Sequence, residues 1–136
     1  QSEIITVNEK TIYALPGEDV TLSCSILKEK GVHVTQTQWS KVSDVPTRRI
    51  AVYNPRYGTI YSEKVYNYSV SFREDSQHCM PNINHSSFMV NYEECNQWIL
   101  QFKNAGLETS GKYECSFTTF PAGTSSSEIN LVVRKI

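Results

Sequence analysis

Four cysteines, three histidines and two adjacent acidic pairs are the side chains of this 136-residue chain best suited to chemistry. His78-Cys79, with His85 and Cys95, could be drawn as a zinc site, since thiolate and imidazole are the usual ligands of that ion. The spacing matches no paired C-x-x-C template, so structural disulfides are the better reading. Hydrolysis would need a nucleophile on a strained turn with a histidine near it, and no G-x-S-x-G is present. Glu74-Asp75 and Glu93-Glu94 are sequence neighbours, which extended chain sends to opposite faces. The chain reads as a non-enzyme without metal or cofactor.

The cysteines point instead to a compartment. An even number suggests pairing in an oxidising environment, and four cysteines allow three connectivities. Two sequons, Asn67-Tyr68-Ser69 and Asn84-His85-Ser86, agree with secretion and mark Asn67 and Asn84 as candidate glycosylation sites. Net charge is -1 with 20% charged residues, which leaves no basic stripe for nucleic acid. No apolar run approaches the roughly 18 to 20 residues that cross a bilayer. Gln1 to Ile5 already reads as a first strand, so a mature or excised extracellular piece is expected.

The elements that must position these groups are short and alternate with a period of two. Ile4 to Val7 and Thr11 to Ala14 read as edge strands, followed by the turn Pro16-Gly17. Val20, Leu22, Cys24 and Ile26 alternate with polar residues, and Lys28 to Gly31 reads as a polar loop. Val34 to Lys41 carries Trp39 inward, with Thr37 an unusually polar neighbour on the same face. Arg49 to Asn54 and Thr59 to Tyr61 form a hairpin around Pro55 and Gly58. Tyr68, Val70 and Phe72 alternate, as do Trp98, Leu100 and Phe102, then Ile129, Leu131 and Val133. Gly111 to Thr119 is one more strand, and Pro121 with Gly123 turns the chain after it. No helical period is sustained, and the length suits one domain spanning 1–136.

Tyr113-Glu114-Cys115, with Cys24 upstream and Trp39 fifteen residues after it, resembles the signature of an immunoglobulin β-sandwich. The hairpin that follows the Trp39 strand makes it variable-type. The resemblance implies a Cys24–Cys115 bridge between strands B (Val20 to Ile26) and F (Gly111 to Thr119), leaving Cys79 to pair with Cys95. It also makes Val34 to Lys41 strand C, Arg49 to Asn54 strand C′, Tyr68 to Phe72 strand D, Trp98 to Phe102 strand E and Ile129 to Val133 strand G. Residues 74–96 then form a polar, disulfide-stapled insert between strands D and E. Closing that small loop removes roughly 3 kcal/mol of unfolded-chain freedom in the chain-entropy model. Many variable domains carry an Asp six residues before the second Cys; here the position is Thr109, so the usual corner salt bridge is not expected.

Three further pieces are brought to one face by strands C, C′, F and G. Val34-Thr35-Gln36, Ala51-x6-Gly58 and Thr119-Phe120-Pro121 occur in order. The trio resembles the signature motifs of the nectin, nectin-like and poliovirus-receptor-binding immunoglobulin receptors. That resemblance implies a lock-and-key pairing with a poliovirus-receptor-type nectin-like protein or a nectin, in adhesion and in regulation of natural killer and T cells. Phe120 is then the key, held by Pro121 and Gly123. Ala51 and Gly58 frame the lock around Val52, with Gln36, Asn54 and Thr118 as polar contacts at its rim and Val34, Thr35 and Thr119 beside them. The parent chain is expected to be a type I membrane protein with this domain outside the cell. Receptors and ligands of the family share these motifs, so a ligand-side or homophilic adhesion domain stays open. So does an antigen-receptor-like domain that binds through its loops.

Overall fold

The computed structural model describes residues 4–7, 9–29, 31–62, 67–74 and 92–135. Strands with one apolar face can bury it only against another such face, and here they do so as two sheets. The four-stranded back sheet has the order β1 (Ile4–Val7), β3 (Val20–Glu29), β8 (Tyr92–Phe102) and β7 (Tyr68–Arg73). The six-stranded front sheet has the order β2 (Thr11–Ala14), β10 (Gly123–Val133), β9 (Gly111–Phe120), β4 (His33–Lys41), β5 (Arg48–Asn54) and β6 (Gly58–Tyr61). Among the described residues all pairings are antiparallel except β2 with β10. The first two strands thus belong to different sheets, and the architecture is the variable-type immunoglobulin sandwich.

Three boundaries differ from the sequence reading. β3 runs on to Glu29, so Lys28 sits in a strand and is buried, with its ammonium donating to the Val32 carbonyl at 2.9 Å. β8 begins at Tyr92, which turns the end of the expected insert (Tyr92 to Asn96) into strand paired with β3. The long β3 offers ladder partners there, and pairing continues although the apolar alternation has stopped. β10 begins at Gly123 because Thr124 to Ser127 pair fully with β9, without any apolar pattern to announce it. Cys95 is buried and disulfide-bonded, which removes its thiolate from any metal site. Its expected partner Cys79 and the sequon at Asn84 lie outside the described residues.

Trp39 is fully buried at the centre, between Cys115 on one neighbouring strand and Ala51 on the other. Its ring stacks against Trp98 of the back sheet at 6.5 Å, and Tyr53, Phe72 and Trp98 continue the aromatic contact between sheets. The Cys24–Cys115 bridge crosses the same layer and closes a separation of 91 residues. A cross-link of that span removes roughly 4 to 5 kcal/mol of unfolded-chain freedom in the chain-entropy model. Thr37 is fully buried on the same strand face as Trp39, and its hydroxyl has no hydrogen-bond partner among the described residues.

The lower corner is held by Tyr113. Its phenol donates to the Thr109 carbonyl at 2.5 Å, across the turn that carries the short 3-10 segment Leu107–Thr109. Where a carboxylate would often stand, the Thr109 hydroxyl accepts from the Gly106 N–H at 3.0 Å. Lys41 replaces the missing ion pair: its buried ammonium donates to the Glu108 carbonyl at 3.1 Å and lies 5.8 Å from the Tyr113 ring centre. Asp44 lies 3.7 Å from that ammonium and accepts from Arg48 at 2.9 Å. The Arg48 hydrogen bond chiefly holds the Asp44 carboxyl below the usual range, with the Lys41 and Arg48 charges adding and partial burial opposing.

Burial pushes the Tyr113 phenol well above its ordinary value, the nearby Arg48 charge opposing in part. Because the folded state holds this proton more tightly, its contribution is complete below the unfolded value near 10 and declines as pH rises past it. Tyr113→Phe should cost about 1 to 3 kcal/mol at neutral pH by leaving the Thr109 carbonyl unpaired. Denaturant unfolding across pH 8 to 11 should also show a shallower alkaline loss in the variant than in the native chain. At Ala51, pressed against Trp39, Ala51→Leu should destabilise by about 1 to 3 kcal/mol through overpacking; unchanged thermal unfolding would place this side chain elsewhere.

Candidate interaction face

The front sheet turns every second residue toward solvent, and register fixes who stands beside whom. One cross-strand row runs Ile60, Val52, Gln38, Ser116 and Ser126. The next carries Gln36, Thr118 and Thr124, with Asn54 and Gly58 paired at the outer side. Above them His33 stands opposite Phe120. The two rows contain no charge. Charged groups flank them, lower down where Glu114 pairs with Ser40 and Lys112 meets Glu128 at 3.7 Å, and at the outer corner where Arg56 is exposed in the turn between Asn54 and Gly58.

Local chemistry explains why this surface is ordered. A register shift lies between Val34 and Gln36, and at that irregularity the Thr35 hydroxyl donates to the Thr118 carbonyl at 3.0 Å. Thr118 and Thr124 share a hydroxyl hydrogen bond of 3.1 Å across the β9–β10 hairpin. Thr119 points inward, and its hydroxyl donates to the Gly123 carbonyl at 3.0 Å, bracing the turn from below. Gly123 has φ +104°, a conformation that other residues adopt only with strain. The turn therefore presents Phe120 outward, 66% exposed, at its tip.

The second hairpin is built by Asn54. Its side-chain oxygen accepts from the Arg56 N–H at 2.8 Å, and its carbonyl accepts from the Tyr57 N–H at 3.1 Å. Gly58 completes the turn with φ +85°, and a Cβ there would meet open space. Val34 and Pro55 line a concavity of about 180 Å³ with His33, Phe72 and the buried Lys28 and Asn96.

Most residues singled out in the sequence thus meet on one face: Gln36, Val52, Asn54, Gly58, Thr118 and Phe120, with Thr35, Pro121 and Gly123 at the edges. Ala51 and Thr119 do not. Ala51 is fully buried beneath the sheet against Trp39, and Thr119 is 4% exposed. Gln38, Ser116, Thr124, Ser126, Ile60 and His33 complete the face and were not singled out. For Gln38 and Ser116 the signal was present, since each is one residue from an inward Trp39 or Cys115. Asn67 lies at the start of β7, half-buried, with its carbonyl accepting from the Lys103 N–H at 2.7 Å.

No protein-family model matches the chain. It is 36% identical over 131 residues to the T-cell surface protein tactile of Rattus norvegicus, covering 96% of this chain and 19% of that protein. It is 38% identical over 127 residues to the tactile of Bos taurus, covering 93% of this chain and 19% of the relative. The chain therefore spans about a fifth of the length of these relatives. Among solved structures, murine CRIg superposes with a TM-score of 0.72 at 16% identity, over 99% of this chain and 100% of that one, a likeness of fold. The chain is an immunoglobulin-like domain of the tactile family of T-cell surface proteins.

Proposed function

We propose that this domain binds a nectin-like ligand of the poliovirus-receptor type, or a nectin, through the front-sheet face, outside the cell. The observation that carries this reading is Phe120: a large aromatic, 66% exposed, fixed on a braced turn at the edge of an uncharged polar surface. An aromatic anchor with few rotatable bonds is the usual centre of a protein–protein hot spot. A surface of Gln, Ser, Thr and Asn around it can exchange water for hydrogen bonds without stripping charges.

In this reading Phe120 enters a pocket on the ligand, and Val52, Asn54 and Gly58 receive the reciprocal side chain. Ala51 contributes from beneath, its small volume letting Trp39 fill the core while the sheet stays regular at Val52. Gln36 and Thr118, adjacent across β4 and β9, supply polar contacts between the two insertions. The parent protein, anchored in the plasma membrane, would couple this contact to adhesion and to the regulation of natural killer and T cells.

Surface plasmon resonance against the first domains of the poliovirus receptor and the nectins tests the assignment. Burying one ring contributes on the order of 2 to 3 kcal/mol, so Phe120→Ala should weaken binding by roughly 30- to 150-fold. Equal affinity of variant and native chain would remove Phe120 from the interface. Binding to neither ligand, with strong self-association in the ultracentrifuge, would instead make the domain homophilic.

A further inference from the structure

We propose that Asn67 carries an N-linked glycan that guards the back sheet: it covers the lower end of the β7 edge and the uncharged outer face beside it, and so keeps two copies of the domain from pairing there. The sequon Asn67-Tyr68-Ser69 supplies the acceptor. What the fold adds is the place where that acceptor stands.

β7 is the last strand of the back sheet, and among the described residues it pairs with β8 alone. An open edge is a template for another strand, and proteins usually blunt it with a lysine, a proline or a bulge. β7 reads Tyr-Ser-Val-Ser-Phe-Arg, without lysine or proline, and its register with β8 runs unbroken from Tyr68 to Arg73. Its one charge, Arg73, stands at the upper end. The Tyr61 hydroxyl accepts from the Val70 N–H at 3.1 Å and covers the middle of the edge from the front sheet. The lower end is left to Asn67.

Alternation fixes where its side chain goes. Tyr68, Val70 and Phe72 pack against the core, so Asn67, Ser69 and Ser71 belong to the outer face. The Lys103 N–H donates to the Asn67 carbonyl at 2.7 Å, which carries the ladder one residue past the Tyr68–Phe102 pair and keeps Asn67 in that alternation. The outer face beside it has two cross-strand rows: Ser69, Gln101 and Thr21, then Ser71, Ile99 and Ser23. Ser69, Ser71, Gln101 and Thr21 are exposed and Ile99 is half-buried.

Two rows without charge, flanked by an unblunted edge, make a surface that a second copy can match. A bulky, hydrated oligosaccharide rooted at Asn67 excludes that copy. The Tyr68 ring meets Phe102, and Phe102 meets Tyr113, so the glycan stands at the corner end of the sandwich, on the sheet opposite the Phe120 face. The guard therefore leaves that face open, whatever ligand it takes.

The 136-residue chain secreted from animal cells tests this, in an Asn84→Gln background that leaves Asn67 as the remaining sequon. Glycopeptide mass spectrometry should find Asn67 occupied; an unoccupied Asn67 would overturn the proposal. In sedimentation equilibrium the glycosylated chain should be monomeric, and enzymatic removal of the glycan from the folded chain should tighten self-association at least tenfold. Unchanged association after removal would overturn the proposal as well. Without the Asn84 change, Ser69→Ala should associate like the deglycosylated chain, whereas Ser69→Thr, which keeps the sequon, should stay monomeric. Ser71→Arg, which puts a charge into the outer face, should disperse the deglycosylated dimer; a dimer indifferent to it would contradict pairing through this sheet.

Discussion

Everything on the front face depends on the contact of Trp39 with the Cys24–Cys115 bridge. Trp39 occupies the middle of β4, with Cys115 beside it on β9 and Ala51 beside it on β5. Because side chains alternate, fixing these three inward fixes Gln38, Ser116 and Val52 outward in one row. A slip of one residue would put the indole in water and the glutamine in the core. Burial of Trp39 and the bridge together make that slip prohibitive, so the surface inherits the register of the core.

The corner below acts on the same strands from their other end. Tyr113 lies two residues from Cys115, and its bond to Thr109 holds the turn that feeds β9. Lys41 closes β4 against that turn through the Glu108 carbonyl. A cation donating to a carbonyl beside an aromatic ring stands at this corner, below the uncharged rows of the face. Rigidity at the face is thus produced by apolar packing and the two hydrogen bonds of this corner. Apart from Arg56 at the β5–β6 turn, the charges beside the face lie below the two uncharged rows.

Much of this was legible in the sequence, and for a reason. Trp39, the Tyr113-Cys115 pair and the alternating runs each signal a position by a constraint that few residues satisfy. The strand extensions were not legible. Lys28 is a poor advertisement for a buried strand, because its ammonium is satisfied by a local carbonyl that only the fold supplies. Thr124 to Ser127 gave no period because both faces of that strand segment are polar and its ladder is held by β9 alone. Ala51 shows what spacing leaves out: its type and position suggest a place at a pocket, while its register next to Trp39 puts its side chain beneath the sheet. A motif records which residues are required; only register says which side of the sheet requires them.

The central claim is that the outward rows of the front sheet are the binding surface. Amide chemical-shift mapping of the domain during titration with the first domain of the poliovirus receptor tests it most directly. The account predicts shifts concentrated on Gln36, Gln38, Val52, Asn54, Ser116, Thr118 and Phe120, with β3 and β7 of the back sheet silent. Shifts confined to the back sheet, or to loops at one end of the sandwich with these rows unmoved, would contradict it.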